Sequence, residues 1–210
     1  MIDTVIFDFD GTLADTNNLI INSFKHIYCK YYDGKCDVDY ILSTFGEPLE
    51  KTLKRDFSGF KLEDVLKSYR EYQVGRFDKE VSLYDTVPET VKYLHEKGIK
   101  MGIATSRLKT STLEALKNFD LDKYFGVIVT ADDVKNHKPD KEPLIKVMQE
   151  LNSRKENTLY VGDSKFDIEC ALNAEVIPAL VGWQKHSLEL AEKYKVKYVL
   201  EKMWDLTKII

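Results

Sequence analysis

Asp8 and Asp10 stand one residue apart in the stretch DFDGTLADT (residues 8–16), directly after the apolar run Val5-Ile6-Phe7. Carboxylates brought that close repel each other, and each loses hydration as it nears a core. Either the pair lies in open water or something positive stands between its members. Oxygen ligands from a few carboxylates suit Mg²⁺, which prefers octahedral oxygen and keeps several waters. Such a cation would neutralise the aspartates and could also grip a phosphate, whose remaining oxygens call for lysine and hydroxyl donors.

Whether those donors are at hand depends on the elements that would position them. Thr4–Phe9, Ile99–Ala104, Val127–Thr130, Thr158–Val161 and Ile177–Val181 read as short buried strands. Helical patterns over Pro88–Lys97, Ser111–Phe119, Glu142–Leu151 and Lys165–Asn173 alternate with them, the first with Pro88 near its start and Gly98 just past its end. Strands apolar on both faces and separated by helices predict an α/β fold, a Rossmann-like parallel sheet covered by helices. Residues 16–85 break the rhythm. They carry helical patterns over Leu19–Lys30, Val38–Phe45, Leu49–Asp56 and Leu62–Phe77 and no convincing strand, so a helical insertion is expected after the first strand.

In open parallel sheets ligands bind beyond the carboxyl ends of the strands. The first strand ends in Asp8, Phe9, Asp10, Gly11 and Thr12, and the second in Thr105, Ser106 and Arg107. The third leads through Asp132 and Asp133, read as loop residues, to Asn136-His137-Lys138-Pro139. The fourth ends in Gly162, Asp163 and Ser164, with Asp167 four residues past Asp163. Gly11 permits the sharp turn out of the first strand. Asp140 is expected to cap the following helix, with Pro143 in its first turn, and Asp15 to fix the passage into the insertion.

DFDGTLADT, the strand-end Thr105, Lys138-Pro139 and GDSKFD (Gly162–Asp167) resemble, in order, the four motifs of the haloacid dehalogenase superfamily. The resemblance covers essentially the whole chain, and the insertion looks like the C1-type cap of the phosphoglycolate phosphatase and β-phosphoglucomutase group. It implies a catalytic core of residues 1–15 plus 86–210 and a cap of residues 16–85. It also implies that Asp8 is the nucleophile, Asp10 the general acid and base, and Thr105 and Lys138 the catalytic partners of the transferring phosphoryl group. Gly11, Ser106 and Arg107 are the implied phosphate or substrate contacts. Mg²⁺ would be held by Asp8, Asp163 and the Asp10 backbone carbonyl, with Asp167 supporting that shell or capping its own helix. Dehalogenase members lack the second aspartate of the first motif, so Asp10 argues for phosphoryl transfer.

Two cap stretches, FGEPLEKTLKR (Phe45–Arg55) and YREYQVGRFD (Tyr69–Asp78), resemble those of phosphoglycolate phosphatases and related bacterial pyrophosphatases, the second stretch more the pyrophosphatases. They offer Lys51, Arg55, Arg70 and Arg76 either as contacts for a second anionic group or as solvated helix charges. The expected activity is a Mg²⁺-dependent phosphatase acting through an aspartyl phosphate on a small phosphorylated metabolite, phosphoglycolate or inorganic pyrophosphate. The alternatives are a β-phosphoglucomutase-like mutase and a non-catalytic phosphate-responsive module. Two departures stand out: His137 precedes the lysine where a small residue is common, and Glu175 occupies a helix end where relatives have glycine.

Composition fits this frame. In 210 residues, 43% are apolar and 31% charged, with a net charge of −4, so no basic field argues for nucleic acid. The insertion is balanced between Asn17 and Glu80, with 11 basic and 11 acidic residues. No apolar run is long enough to span a membrane, and no signal peptide is read at the N-terminus. Cys29, Cys36 and Cys170 lack metal-ligand spacing and read as reduced thiols of a cytoplasmic protein. A monomer or homodimer is expected, with no nucleic-acid or membrane partner.

Overall fold

A computed structural model describes all 210 residues. In chain order the elements are β1 (Thr4–Phe7), β2 (Ala14–Asp15), α1 (Asn17–Tyr31), α2 (Val38–Ser43), α3 (Leu49–Asp56), α4 (Leu62–Gln73), α5 (Phe77–Glu80), β3 (Ser82–Leu83), α6 (Val87–Glu96) and β4 (Lys100–Ala104). There follow α7 (Lys109–Asn118), β5 (Val127–Val129), α8 (Glu142–Glu150), β6 (Thr158–Gly162), α9 (Lys165–Asn173), β7 (Ile177–Val181), α10 (Ser187–Tyr194) and β8 (Tyr198–Leu200). No helix is long and apolar enough to cross a membrane.

Six parallel strands form the main sheet in the order β5-β4-β1-β6-β7-β8. The period of two along each strand sorts its side chains onto two cores. Val5, Phe7, Ile103, Leu159 and Val161 pack on one face, and Ile6, Ala104 and Tyr160 on the other. Helices cover both faces, which is why these strands lack a polar side. β1 is central, and its chain reversal of strand order puts the ends of β1, β4 and β6 side by side.

The expected insertion is present as α1–α5, a bundle with its own core of Phe24, Ile27, Ile41, Leu53, Phe57, Val65, Leu66 and Tyr69. It joins the sheet unit through a two-stranded antiparallel ribbon, Ala14 opposite Leu83 and Asp15 opposite Ser82. Sequence periodicity gives no sign of that ribbon, because two residues per strand are too few to show a period. The predicted helix Leu62–Phe77 stops at Gln73. Val74 turns extended after Gln73, Gly75 follows at φ 69°, and α5 starts at Phe77. β1 ends at Phe7, two residues earlier than read, because the backbone turns at Asp8–Asp10. Also unread were α10, β8 and the 3₁₀ turn Met203–Lys208, which extend the sheet beyond β7 and close its edge.

Asp140 accepts a hydrogen bond from the Glu142 amide at 2.8 Å at the start of α8, where Pro143 sits as expected. Glu175 does sit at positive φ, 58°. It follows α9 in a Schellman arrangement, with the Val176 amide donating to Ala171 O at 3.0 Å and the Glu175 amide to Leu172 O at 3.1 Å. A left-handed L-residue costs about 1–2 kcal/mol. The Glu175–Lys155 ion pair is open to solvent and offsets little of that cost. Glu175→Gly is therefore expected to raise the melting temperature by about 2–4 °C, one kcal/mol being worth that much in a chain of this size. A fall in calorimetric melting would show that the ion pair outweighs the backbone strain.

Candidate active site

Three strand ends and one loop meet at the carboxyl edge of the sheet. The Asp8 amide still pairs with Val161 O at 2.9 Å, so Asp8 is rooted in the sheet while its side chain turns into the crevice. Gly11 at φ 76° reverses the chain, and any Cβ there would run into the Asp163 carboxylate. The Gly11 amide is taken by Ala14 O at 2.9 Å. The Gly11 carbonyl accepts from Trp183 Nε1 at 3.1 Å and Gln184 Nε2 at 2.8 Å. Gly11 is thus a steric necessity of the loop and has no free N–H for a phosphoryl group, unlike the contact expected from sequence.

Lys138 is buried against Asp8, with Nζ 3.0 Å from Asp8 Oδ1, and against Asp167, with Nζ 2.6 Å from Oδ1. The pairing with Asp8 is an ion pair off hydrogen-bond alignment, so Asp8 Oδ1 is a buried acceptor without a donor. Carboxylate oxygens of Asp8, Asp163 and Asp167 all lie within 4.8 Å of one another. Burial, then the neighbouring charges of Asp167 and Asp10, push the Asp8 pKa up to about 7 against the pull of Lys138. Burial, then Asp167 and Asp8, raise Asp163 well above the carboxylate range. Asp167 differs: burial works against its charge, but Lys138, Ser164 and Tyr160 together hold it low. Lys138 likewise stays charged, because Asp167 and Asp8 outweigh its burial.

Asp167 takes the capping role, one of the two expected of it, and also meets the buried lysine. Its Oδ2 accepts from the Ser164 amide at 3.0 Å and the Ser164 hydroxyl at 2.6 Å, closing a capping box at the start of α9. Its Oδ1 takes Lys138 and the Tyr160 hydroxyl, the latter at 2.9 Å. With both oxygens held by protein donors, Asp167 acts on the cluster through Lys138. The buried, donorless Asp8 oxygen and the raised Asp163 are the groups whose chemistry fits a hard divalent cation.

Thr105 is buried beside the cluster, and its Oγ1 accepts from the Arg107 amide at 3.3 Å, leaving the hydroxyl proton free. Ser106 does not point its proton at the crevice floor: Oγ donates to Gly46 O of the bundle at 3.0 Å. Arg107, expected at the substrate, places Nη1 3.1 Å from Asp10 Oδ1, with its guanidinium between the rings of Phe9 and Phe77. Gly46 is packed so closely on Ser164 that a Cβ would overlap its hydroxyl. The bundle therefore sits down on the sheet unit over an open-mouthed cavity of about 680 Å³ that runs from Asp8, Asp10 and Asp163 to Arg70 and Gln73 of α4 and Val74 just past it.

Of the four cations read from the bundle, only Arg70 lines that cavity, with His137 lining it from the sheet side. Lys51 and Arg55 turn to Glu47, at 3.2 and 2.9 Å, and Arg76 stacks on Tyr72 while pairing with Glu80. Sequence reading also passed over Tyr160, inside the strand read over Thr158–Val161, and Gln184. The Gln184 side chain joins Gly11 O, Tyr84 Oη at 3.0 Å and Asn17 Nδ2 at 2.9 Å, tying both connections of the bundle to the loop of Asp10. Its partners lie far apart in the chain, so no local motif announces it.

Comparison with known proteins agrees with the motif order. The family model for haloacid dehalogenase-like hydrolases matches residues 5–181. A pyrophosphatase, PpaX, of Halalkalibacterium halodurans is 42% identical over 209 residues, covering 100% of this chain and 97% of the relative. A solved structure from Bacteroides fragilis, described as a haloacid dehalogenase-like hydrolase, superposes with a TM-score of 0.88 at 26% identity, covering 100% of both chains. A Thermotoga maritima structure described as a β-phosphoglucomutase reaches 0.78 at 28% identity over 99% of this chain and 98% of its own. The chain belongs to the haloacid dehalogenase-like hydrolase family and is an enzyme of its phosphatase branch.

Proposed function

We propose that the protein hydrolyses inorganic pyrophosphate, with Asp8 as nucleophile. The observation that carries the chemistry is the buried Asp8–Lys138 ion pair at 3.0 Å at the floor of the cavity between bundle and sheet. The full-length likeness to a pyrophosphatase supports the choice of substrate. An Asp8 oxygen attacks the near phosphorus, forming an acyl phosphate as the bridging P–O bond breaks. Asp10 gives its proton to the departing phosphate. It then takes a proton from water, which attacks the phosphorus of phospho-Asp8 and frees the second phosphate. Lys138 and the Thr105 hydroxyl stabilise the charge on the transferring group. Asp8, Asp163 and the Asp10 carbonyl would hold Mg²⁺, which when bound offsets the negative charge of carboxylates and substrate. In this reading residues 16–85 serve as the cap over the core of residues 1–15 and 86–210.

Phosphate release should require Mg²⁺ and should show a higher kcat/KM for pyrophosphate than for phosphoglycolate, β-glucose 1-phosphate or an aryl phosphate. Asp8→Asn should lower kcat by at least about 1000-fold, as loss of a covalent nucleophile does. Glucose 6-phosphate formed from β-glucose 1-phosphate without net phosphate release would replace this reading with a mutase.

The cavity geometry separates the cap cations. Arg70→Ala is expected to raise KM for pyrophosphate about tenfold, the loss of one charged contact, while Lys51→Ala leaves it within about twofold. Equal effects of the two substitutions in steady-state assays would remove Arg70 from the site.

The carboxylate cluster also predicts a pH-dependent response to metal. Asp8, raised from 3.8 to about 7 mainly by burial, and Asp163, raised likewise, bind protons more tightly in the folded chain than in the unfolded one. Their contribution to stability is full below the unfolded value and is lost as pH rises through the folded one. Asp167, held low, contributes in the opposite sense and weakens only in acid. A cation that stands in for the missing protons should therefore raise the melting temperature more at about pH 8 than at about pH 5. An equal Mg²⁺-induced shift at both would exclude Asp8 and Asp163 as the ligands.

A further inference from the structure

Tyr160 lies on β6 with its ring in the core shared by Ile6 and Ala104, where any large apolar side chain would fill the space. A hydroxyl in that place is costly unless it is bonded, and this one has three partners. Lys138 Nζ donates to Tyr160 Oη at 3.2 Å. The hydroxyl proton lies between two acceptors, Asp167 Oδ1 at 2.9 Å and Ala104 O at 2.9 Å. Ala104 is the last residue of β4, immediately before Thr105. One phenol thus ties together the end of β4, the capping carboxylate of α9 and the buried lysine.

The ammonium of Lys138 has three protons. Asp167 takes one at 2.6 Å and Tyr160 takes a second. The third is left for the side of Asp8, whose Oδ1 stands 3.0 Å away but off alignment. We propose that Tyr160 is a positioning residue: by accepting one N–H of Lys138 while anchored to Ala104 O, it aims the remaining N–H at the phosphoryl group on Asp8. The role rests on the reading of Asp8 as nucleophile but not on which phosphorylated compound is the substrate. Without the phenol oxygen the ammonium would be free to turn about its Cε–Nζ bond and would share its protons less evenly between Asp167 and Asp8.

Tyr160→Phe keeps the ring, its packing and its place near the ammonium, 5.9 Å from ring centre to Nζ, and removes only the oxygen. The expected result is a fall in kcat of about tenfold to a hundredfold with KM changed less than about threefold. The same factor should appear for pyrophosphate and for an aryl phosphate, because the lysine serves the transferred group and not the leaving group. A kcat within about twofold of wild type would overturn the proposal, as would a loss confined to KM or to one substrate. A wild-type enzyme that releases no phosphate from any substrate would instead reject the nucleophile reading itself. Should the variant fail to fold, the ¹⁵N–¹H spectrum of the wild-type lysines decides: a slowly exchanging Lys138 ammonium signal coupled to the Tyr160 hydroxyl is required, and its absence rejects the arrangement.

Discussion

A single buried ammonium among buried carboxylates governs this structure. Lys138 stands between Asp8 and Asp167 with Asp163 alongside, all four withdrawn from water. Attraction between unlike charges and repulsion between like ones both strengthen as the medium becomes less polar. Lys138 and Asp167 satisfy each other, and five donors hold Asp167 ionised. What remains is an excess of carboxyls at Asp8 and Asp163, both raised by burial and crowding and kept in place by groups that cannot drift apart. Such an excess is tolerable only where the backbone is rigid, and both aspartates are set by the central strands β1 and β6 of a sheet buried on both faces.

The bundle extends that constraint to selectivity. It meets the sheet unit through specific polar contacts: Ser106 on Gly46 O, Asn118 on Asp78 at 2.9 Å, and Lys185 on Asp39 at 2.6 Å. None is buried enough to be worth much alone, so the enclosing position is held by many weak links and by the close seating of Gly46 on Ser164. Lys51, Arg55, Lys67 and Arg76 of the bundle pair with its own acids. Of the bundle's basic side chains Arg70 alone lines the cavity, with His137 on the sheet side, above the carboxyl cluster of the floor. A doubly anionic phosphate entering there meets positive charge at particular points and not as a general field.

Much of the architecture was legible because it depends on local rules. Apolar runs bounded by turns mark β1, β4, β5, β6 and β7, and their alternation with helices forces a parallel sheet. Glu175 at a helix end announced its own positive φ, since the Schellman turn leaves no other conformation there. The break at Val74–Gly75 was missed because the apolar period of α4 happens to continue into α5. The ribbon of β2 and β3 was missed because pairing partners 67 and 69 positions apart leave no mark on either two-residue strand.

The order of Asp8, Thr105, Lys138 and Asp163 along the chain was sufficient to say that carboxylates, a hydroxyl and a lysine would meet at one sheet edge, since strand polarity alone brings strand ends together. Sequence likewise determined the family. Which proton or lone pair each residue has left to use was decided only in three dimensions. Arg107 was drawn to Asp10, Ser106 to the bundle, the Gly11 amide to Ala14, and the Tyr160 hydroxyl to Lys138. Residue type sets what a group can donate or accept. Who stands within about 3 Å of it depends on how the elements pack, because hydrogen bonds are short-ranged and directional.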